Sequence, residues 1–292
     1  MNRFLLFEAL LCFGLTVVAA DAEVRDFRTQ DGKSVRGEIE SYKLQTDKLA
    51  IKTEGGKTVQ LKADDLVDDD YVYVRDWDSV RLFSQNTHFR MYFNGPESLN
   101  KWSKILWRRP PGNVEAQQTY KIDHNRLGYE IKFDNQTGYD LENVELKYNL
   151  FYMQERMDYR VEEKVPDIVV RPCLERYAIV PSGKNNKFAS KTIVLRRKEI
   201  AGAGTKLRYL EGEGRFLKSE MIGAIFRATI TTRSGLSTVR EIRMPKDLSE
   251  EYVWVEPTAE NIVWADDSLD EREDVRRPPT LWVELGGSGE GG

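Results

Sequence analysis

Between Val24 and Trp77 apolar and polar positions alternate in short runs, with Val35 and Ile39, Leu49 and Ile51, then Val59 and Leu61 on one side. Asp31-Gly32 and Glu54-Gly55-Gly56-Lys57 separate these runs, and alternation broken by such dipeptides is a strong hairpin signal. Strands this short make a poor flat sheet with both faces wet, so the pattern predicts a small barrel curled round its apolar side. At Ala63 the character changes to DDLVDDDYVYV. Here a short helical turn capped by Asp68 is expected, with Leu66, Tyr71 and Val74 plugging the open end of the barrel.

After Trp77 clear turns are lacking until about Thr119. Asn100 to Pro111 (NKWSKILWRRPP) mixes Trp102, Ile105 and Trp107 with four basic residues. It reads as a connector whose tryptophans pack on the next domain, the alternative being a membrane-surface segment. Alternation returns at Tyr129, Ile131 and Phe133. It is longest at Val144, Leu146, Tyr148, Leu150 and Tyr152, and further strands are expected at Lys191–Arg197, Thr205–Leu210, Ile222–Thr232 and Leu236–Arg243. Alternation rather than continuous hydrophobicity suits antiparallel sheets with one wet face each. MDYRVEEKVPDIVVRP, residues 157–172, reads as a long crossing connection. No helix longer than about ten residues is expected, on the scale of three turns.

The first segment resembles the Sla-type homology domain, described in a fungal endocytic adaptor and found also in secreted bacterial proteins. The likeness is carried by Arg25 with Phe27 two residues on, by Asp31-Gly32-Lys33, by the hairpin Lys48 to Leu61, and by Leu66…Asp70…Tyr73-Val74. Val67 departs from it, standing where the family usually has a small polar cap, and one residue is missing between Gly32 and Tyr42. The resemblance implies an SH3-like barrel and a peptide-binding module. In fungal members it implies capture of short Asn-Pro-Phe-type signals, and adaptor, cytoskeletal-protein, ubiquitin or identical-protein binding. Because those peptides carry an acidic residue, it points to Arg25, Lys33, Tyr42, Lys52 and Lys57 as candidate peptide contacts.

The expected fold class is therefore all-β. A small SH3-like barrel over 23–77 is followed by a connector over 78–118 and an antiparallel, immunoglobulin- or fibronectin-like β-sandwich over 119–255. An acidic, then Gly-rich, disordered tail covers 256–292. Residues 1–22 carry Arg3, an apolar stretch and Ala20-Asp21-Ala22, the pattern of a cleaved export signal. The alternative is an uncleaved anchor, although the stretch is short for a bilayer. Export places the protein in the periplasm or outside the cell, with no stable membrane insertion once the signal is cleaved.

Charge and chemistry narrow the function classes. The net charge of −4 changes little on losing Arg3, Glu8 and Asp21, and a near-neutral chain gives no default nucleic-acid surface. Cleavage would leave Cys173 as the single cysteine, without an internal disulfide, and it reads as a small buried hydrophobe. The two histidines, His88 and His124, have no metal-ligand spacing, so no metal and no cofactor are expected. The aspartates at 64, 65, 68, 69 and 70 lack a calcium-loop pattern. No nucleophile elbow, Walker loop or dinucleotide fingerprint is present. A glycosidase would need only two carboxylates, and the sequence nominates none.

The reading is a non-catalytic, exported adaptor of the cell envelope that binds a protein or peptide, with self-association through a sheet edge as a structural option. The alternative is a carbohydrate-binding or glycan-acting protein that uses exposed Trp102, Trp107, Trp254 and Trp264.

Overall fold

The computed structural model describes residues 23–108, 117–158, 161, 163–199, 216–262 and 282–283. The expected export signal, the strand at Thr205–Leu210, Trp264 and most of the acidic and Gly-rich tail lie outside these residues, as does the side chain of Trp107. Over the described residues the protein is mostly β, with three antiparallel sheets and one α-helix. Among the described residues no helix is long and apolar enough to cross a membrane.

The first sheet is a meander of β1 (Arg25–Arg28), β2 (Ser34–Lys43), β3 (Lys48–Thr53) and β4 (Thr58–Lys62). Both hairpin signals are turns, with Gly32 and Gly56 at positive φ where a Cβ would strain the backbone. The third turn uses Asp47 at φ 53°, a conformation aspartate tolerates. Its carboxylate then accepts the Tyr42 hydroxyl at 2.8 Å and the Asp64 N–H at 2.7 Å. Phe27, Ile39, Leu49, Ile51, Leu66 and Val74 make the core, while Val35 and Leu61 pack at its margin.

This sheet does not close on itself as a barrel, because β1 and β4 are not paired. Instead a 3-10 turn over Ala63–Asp65 carries the chain back to β1. There Thr29 bridges Leu66, the Gln30 N–H reaches the Asp65 carbonyl, and the Val67 N–H reaches that of Arg28.

In place of a short capped turn, α1 runs over Asp68–Ser84. Val67 occupies the N-cap and offers no side-chain bond, so the start relies on Asp68 and Asp69 near the positive end of the helix dipole. Tyr73 and Val74 enter the first core, whereas Val80, Leu82 and Phe83 enter a second. A helix buried on more than one side shows no single apolar stripe, which is why the sequence pattern did not reveal it. The domain boundary expected at residue 77 falls inside this helix.

The second core lies between the other two sheets. One contains the hairpin of β5 (Phe89–Arg108) and β6 (Gln117–Asn135), with β9 (Lys184–Ala189) and β10 (Ile193–Glu199) lying in succession along the free side of β6. Short strands β11 (Phe216–Leu217) and β14 (Trp282–Val283) extend its edges. The other has the order β13 (Ser237–Met244), β12 (Ser219–Thr231), β7 (Leu141–Asp158), β8 (Glu163–Val180). The five expected inward residues of β7, from Val144 to Tyr152, are all buried in the core they share with Phe89, Phe93, Ile131 and Phe226. Phe93 and Phe226 stack at 3.8 Å across it. Cys173 is buried here too, and burial pushes its thiol up to about 12.

Two segments differ from expectation. Residues 89–108, read as connector, form β5, held by its long register with β6 rather than by its own alternation. Residues 163–172, read as part of a crossing connection, form the first half of β8, paired with 149–158 of β7. Pro166 and Pro172 are accommodated there because β8 is an edge strand, where a missing N–H is tolerated. Beyond β13 the chain covers the outer face of the β13-β12-β7-β8 sheet, with Leu248 buried against Phe151 and Ile225. Asn149 pins that cover, accepting the Val255 N–H at 2.6 Å and donating to its carbonyl at 2.9 Å.

Candidate binding groove at the helix junction

Three aspartates of α1 tie the sheets together. Asp70, almost fully buried, accepts Arg25 Nε and Nη2 at 3.1 and 2.8 Å and the Arg28 backbone N–H at 2.9 Å. Asp76 accepts the backbone N–H and hydroxyl of Ser234, in the β12–β13 turn, at 2.9 and 2.7 Å. Asp78, also buried, accepts the Tyr139 hydroxyl at 2.9 Å and the guanidinium of Arg81. The proximity of Asp78 and burial together push the Tyr139 phenol well above its ordinary range, burial being the larger cause.

Past the helix, the buried Arg240 of β13 donates to the carbonyls of Phe83 and Phe89 at 2.9 and 2.6 Å and to Asn86 Oδ1. Burial pulls this guanidinium down to about 10. A charge placed there needs these carbonyls, since bare burial of an ion is strongly unfavourable.

The β6–β7 turn is shaped by Asn135, which is fully buried. Its amide donates to the carbonyls of Tyr139 and Val180 at 2.9 and 2.8 Å, while its oxygen accepts Thr137 Oγ1 at 2.7 Å. The sequon Asn135-Gln136-Thr137 is thus consumed by the fold, because the amide nitrogen a glycan would need is occupied. Between this turn, α1 and the β12–β13 hairpin lies a groove of about 290 Å³. Tyr71, Val72 and Arg75 form its helical side, and Tyr139 of the β6–β7 turn and Arg233 of the β12–β13 turn line the other.

The residues expected to contact a peptide come from different strands and turns of the first sheet. Arg25 lies over the Tyr73 ring at 4.4 Å and is bound to Asp70, which makes it an anchor for α1. Tyr42 is in the core, its phenol held above the usual range chiefly by burial. Lys33 sits at the β1–β2 turn, paired with Asp31 at 2.6 Å. Lys52 and Lys57 are exposed near the β3–β4 turn, with Lys52 opposite Glu38 and Thr58 in the ladder.

The tryptophans do not form a coplanar platform among the described residues. Trp102 stacks on His124 at 4.9 Å with Arg126 at 5.6 Å, and Trp254 lies under Arg227 at 4.1 Å. Trp102 and His124 border a larger cleft of about 520 Å³ over β5, β6 and β10, closed on one side by Lys218 and Ser219 at the β11–β12 junction. Among the described residues no group of three or more His, Cys, Asp or Glu side chains could hold a metal ion.

Sequence reasoning missed Tyr139, Arg75, Asp78 and Arg240. The one local signal was the spacing of Asp70 and Asp78, about two helical turns apart on a helix that also carries apolar residues. No protein-family model matches the chain, and no curated protein matches it significantly.

Proposed function

We propose that this is an exported, non-catalytic binding protein of the periplasm or the cell exterior, and that it captures an extended peptide segment at the seam between an SH3-like module and a β-sandwich. The observation that carries the reading is the groove itself. It is walled by three separate elements whose relative placement is set by Asp76 and Asp78, so the surface needs no ordering before a ligand arrives. The meander order of the first sheet and the return of the chain to β1 support a Sla-type, SH3-like module.

The strand orders β5-β6-β9/β10 and β13-β12-β7-β8 support an immunoglobulin- or fibronectin-like sandwich. In the constant-type immunoglobulin order the fourth strand joins the first sheet, whereas here β8 stays beside β7, which favours the fibronectin-like variant. A peptide array probed with the full chain tests the function. Selective binding that is lost in Val72→Glu supports capture at the seam, and loss in Lys52→Glu or Lys57→Glu instead would move the site to the first sheet. An array without selective binders would sink the proposal.

A further inference from the structure

Arg75 stands where a guanidinium is poorly served by its own chain. It is half-buried beside the groove, and its hydrogen-bond donors require partners once water is withdrawn. Its contact with the Tyr71 hydroxyl is long, at 3.5 Å, and the Tyr71 and Tyr139 rings lie 5.7 and 5.4 Å from its carbon. Among the described residues Arg75 makes no ion pair.

The carboxylates nearest the groove are each bound elsewhere. Asp76 holds Ser234, Asp140 accepts the Ser182 N–H at 2.8 Å, and Glu142 is paired with Arg233 at 2.8 Å. The groove therefore combines a planar cation with aromatic flanks, while its carboxylates are oriented to other partners: Glu142 is neutralised by Arg233, and Asp76 and Asp140 keep their charge but are turned to the serines rather than to Arg75. Its volume suits one or two side chains of an extended segment rather than a helix or a folded surface.

We propose that the groove is a carboxylate-recognition site, in which Arg75, framed by Tyr71 and Tyr139, receives the carboxylate of a bound peptide in a forked pair of hydrogen bonds. The inference rests on the reading of the seam as a peptide site and adds the chemistry of the anchor. A planar fork matches a carboxylate in a way that a lysine ammonium does not. The site exists only while the first sheet and the two-sheet body are docked through α1, since Arg75 comes from the helix and Tyr139 from the body.

The test is a titration of the full chain, followed by NMR at the Arg75 Nε–Hε signal, which Arg75→Lys identifies by its disappearance. The probes are capped Gly-Asp-Gly amide, its Asn counterpart, and Gly-Gly-Gly with a free C-terminus. A saturable shift is expected with the Asp amide, the free acid or both, and the arm that responds tells a side-chain carboxylate from a chain end. The Asn peptide should bind at least about tenfold more weakly, the scale of one charge-assisted contact. Arg75→Gln, checked for native circular dichroism, should abolish the preference.

Equal affinity for the Asp and Asn peptides with no response to the free acid overturns the inference, as does an undiminished preference in a folded Arg75→Gln. The peptide array reports separately on the wider reading. Selective binders whose affinity survives amidation of their acidic groups overturn the carboxylate anchor and leave peptide capture in place. An array without binders overturns both.

Discussion

The first sheet and the two-sheet body solve the same problem, a buried polar group at the surface of α1, from opposite directions. For the first sheet the helix sends a carboxylate inward: Asp70 reaches Arg25 and the Arg28 N–H, and Arg25 keeps about a third of its surface in water. For the body a strand sends a cation toward the helix, with Arg240 reaching the carbonyls at Phe83 and Phe89 from a wholly enclosed position. The difference teaches that a half-wet anchor is adjustable, whereas an enclosed one is all or none. Solvent screens the Arg25–Asp70 pair and lowers its net worth, whereas Arg240 is compensated from within the protein, by the two carbonyls, Asn86 and the faces of Phe83 and Phe89.

That contrast can be broken by mutation. Arg240→Ala should have the largest effect, about 3–5 kcal/mol of unfolding free energy, because it opens a cavity and strands two buried carbonyls. Urea denaturation checks it, and a loss below about 1 kcal/mol, the ordinary size of one hydrogen bond, would show that water replaces the guanidinium and that the site is not enclosed. Asp70→Asn should cost less, about 1–2 kcal/mol after allowance for the exposure of Arg25. If the two losses are equal, the asymmetry between the regions fails.

Next in size is Asn149→Ala, expected to cost roughly 1–2 kcal/mol and to release the covering segment. Limited proteolysis should then cut near the exposed Val253 before the body unfolds; unchanged cleavage would mean that Leu248 and Tyr252 hold the cover alone.

The smallest effect is expected at the β1–β2 turn. Bonds from Lys33 first, then Thr29, hold the Asp31 carboxyl at about 2, below its usual 3.8. A carboxyl depressed in the folded state stabilises above its unfolded value and loses that contribution as pH falls through the folded one. The wild type should therefore lose stability over the window from about 3.8 to about 2, and Asp31→Asn should flatten that part of the acid limb. Stability–pH curves that superimpose for the two proteins would remove Asp31 from the account.

What the sequence disclosed follows the range of the interactions. The strands of the first sheet were legible because Gly32 and Gly56 mark their turns within a few residues. The inward set of β7 was legible from alternation alone. The closure was not, since β1 meets the return segment at Leu66 rather than a strand partner. Nor was the length of α1, whose apolar residues serve two cores. β5 and the first half of β8 depend on pairing with β6 and β7. In the candidate site, Arg25 and Tyr42 looked available only because their partners, Asp70 and Asp47, are chosen by the fold. Arg75 carries no motif, and it becomes conspicuous only when the carboxylates around it are seen to be taken.

The reach of Arg240 also has a consequence in time. Phe83 and its guanidinium partner are 157 residues apart, and Asp76 and Ser234 are 158 apart, while the hairpins of the first sheet close over a few residues. Local closures form quickly, and distant ones wait for the chain between them. We therefore expect a chain emerging amino end first to complete its meander early and to hold α1 half-docked, its second face unclaimed until β12 and β13 arrive. Pulsed hydrogen exchange during refolding would test this order: protection at Leu49 and Ile51 should precede protection at Leu82 and Phe83, and simultaneous protection would refute it. That interval is when a chaperone or a protease meets the chain, and the exposed Phe83 face of the helix is what it would find.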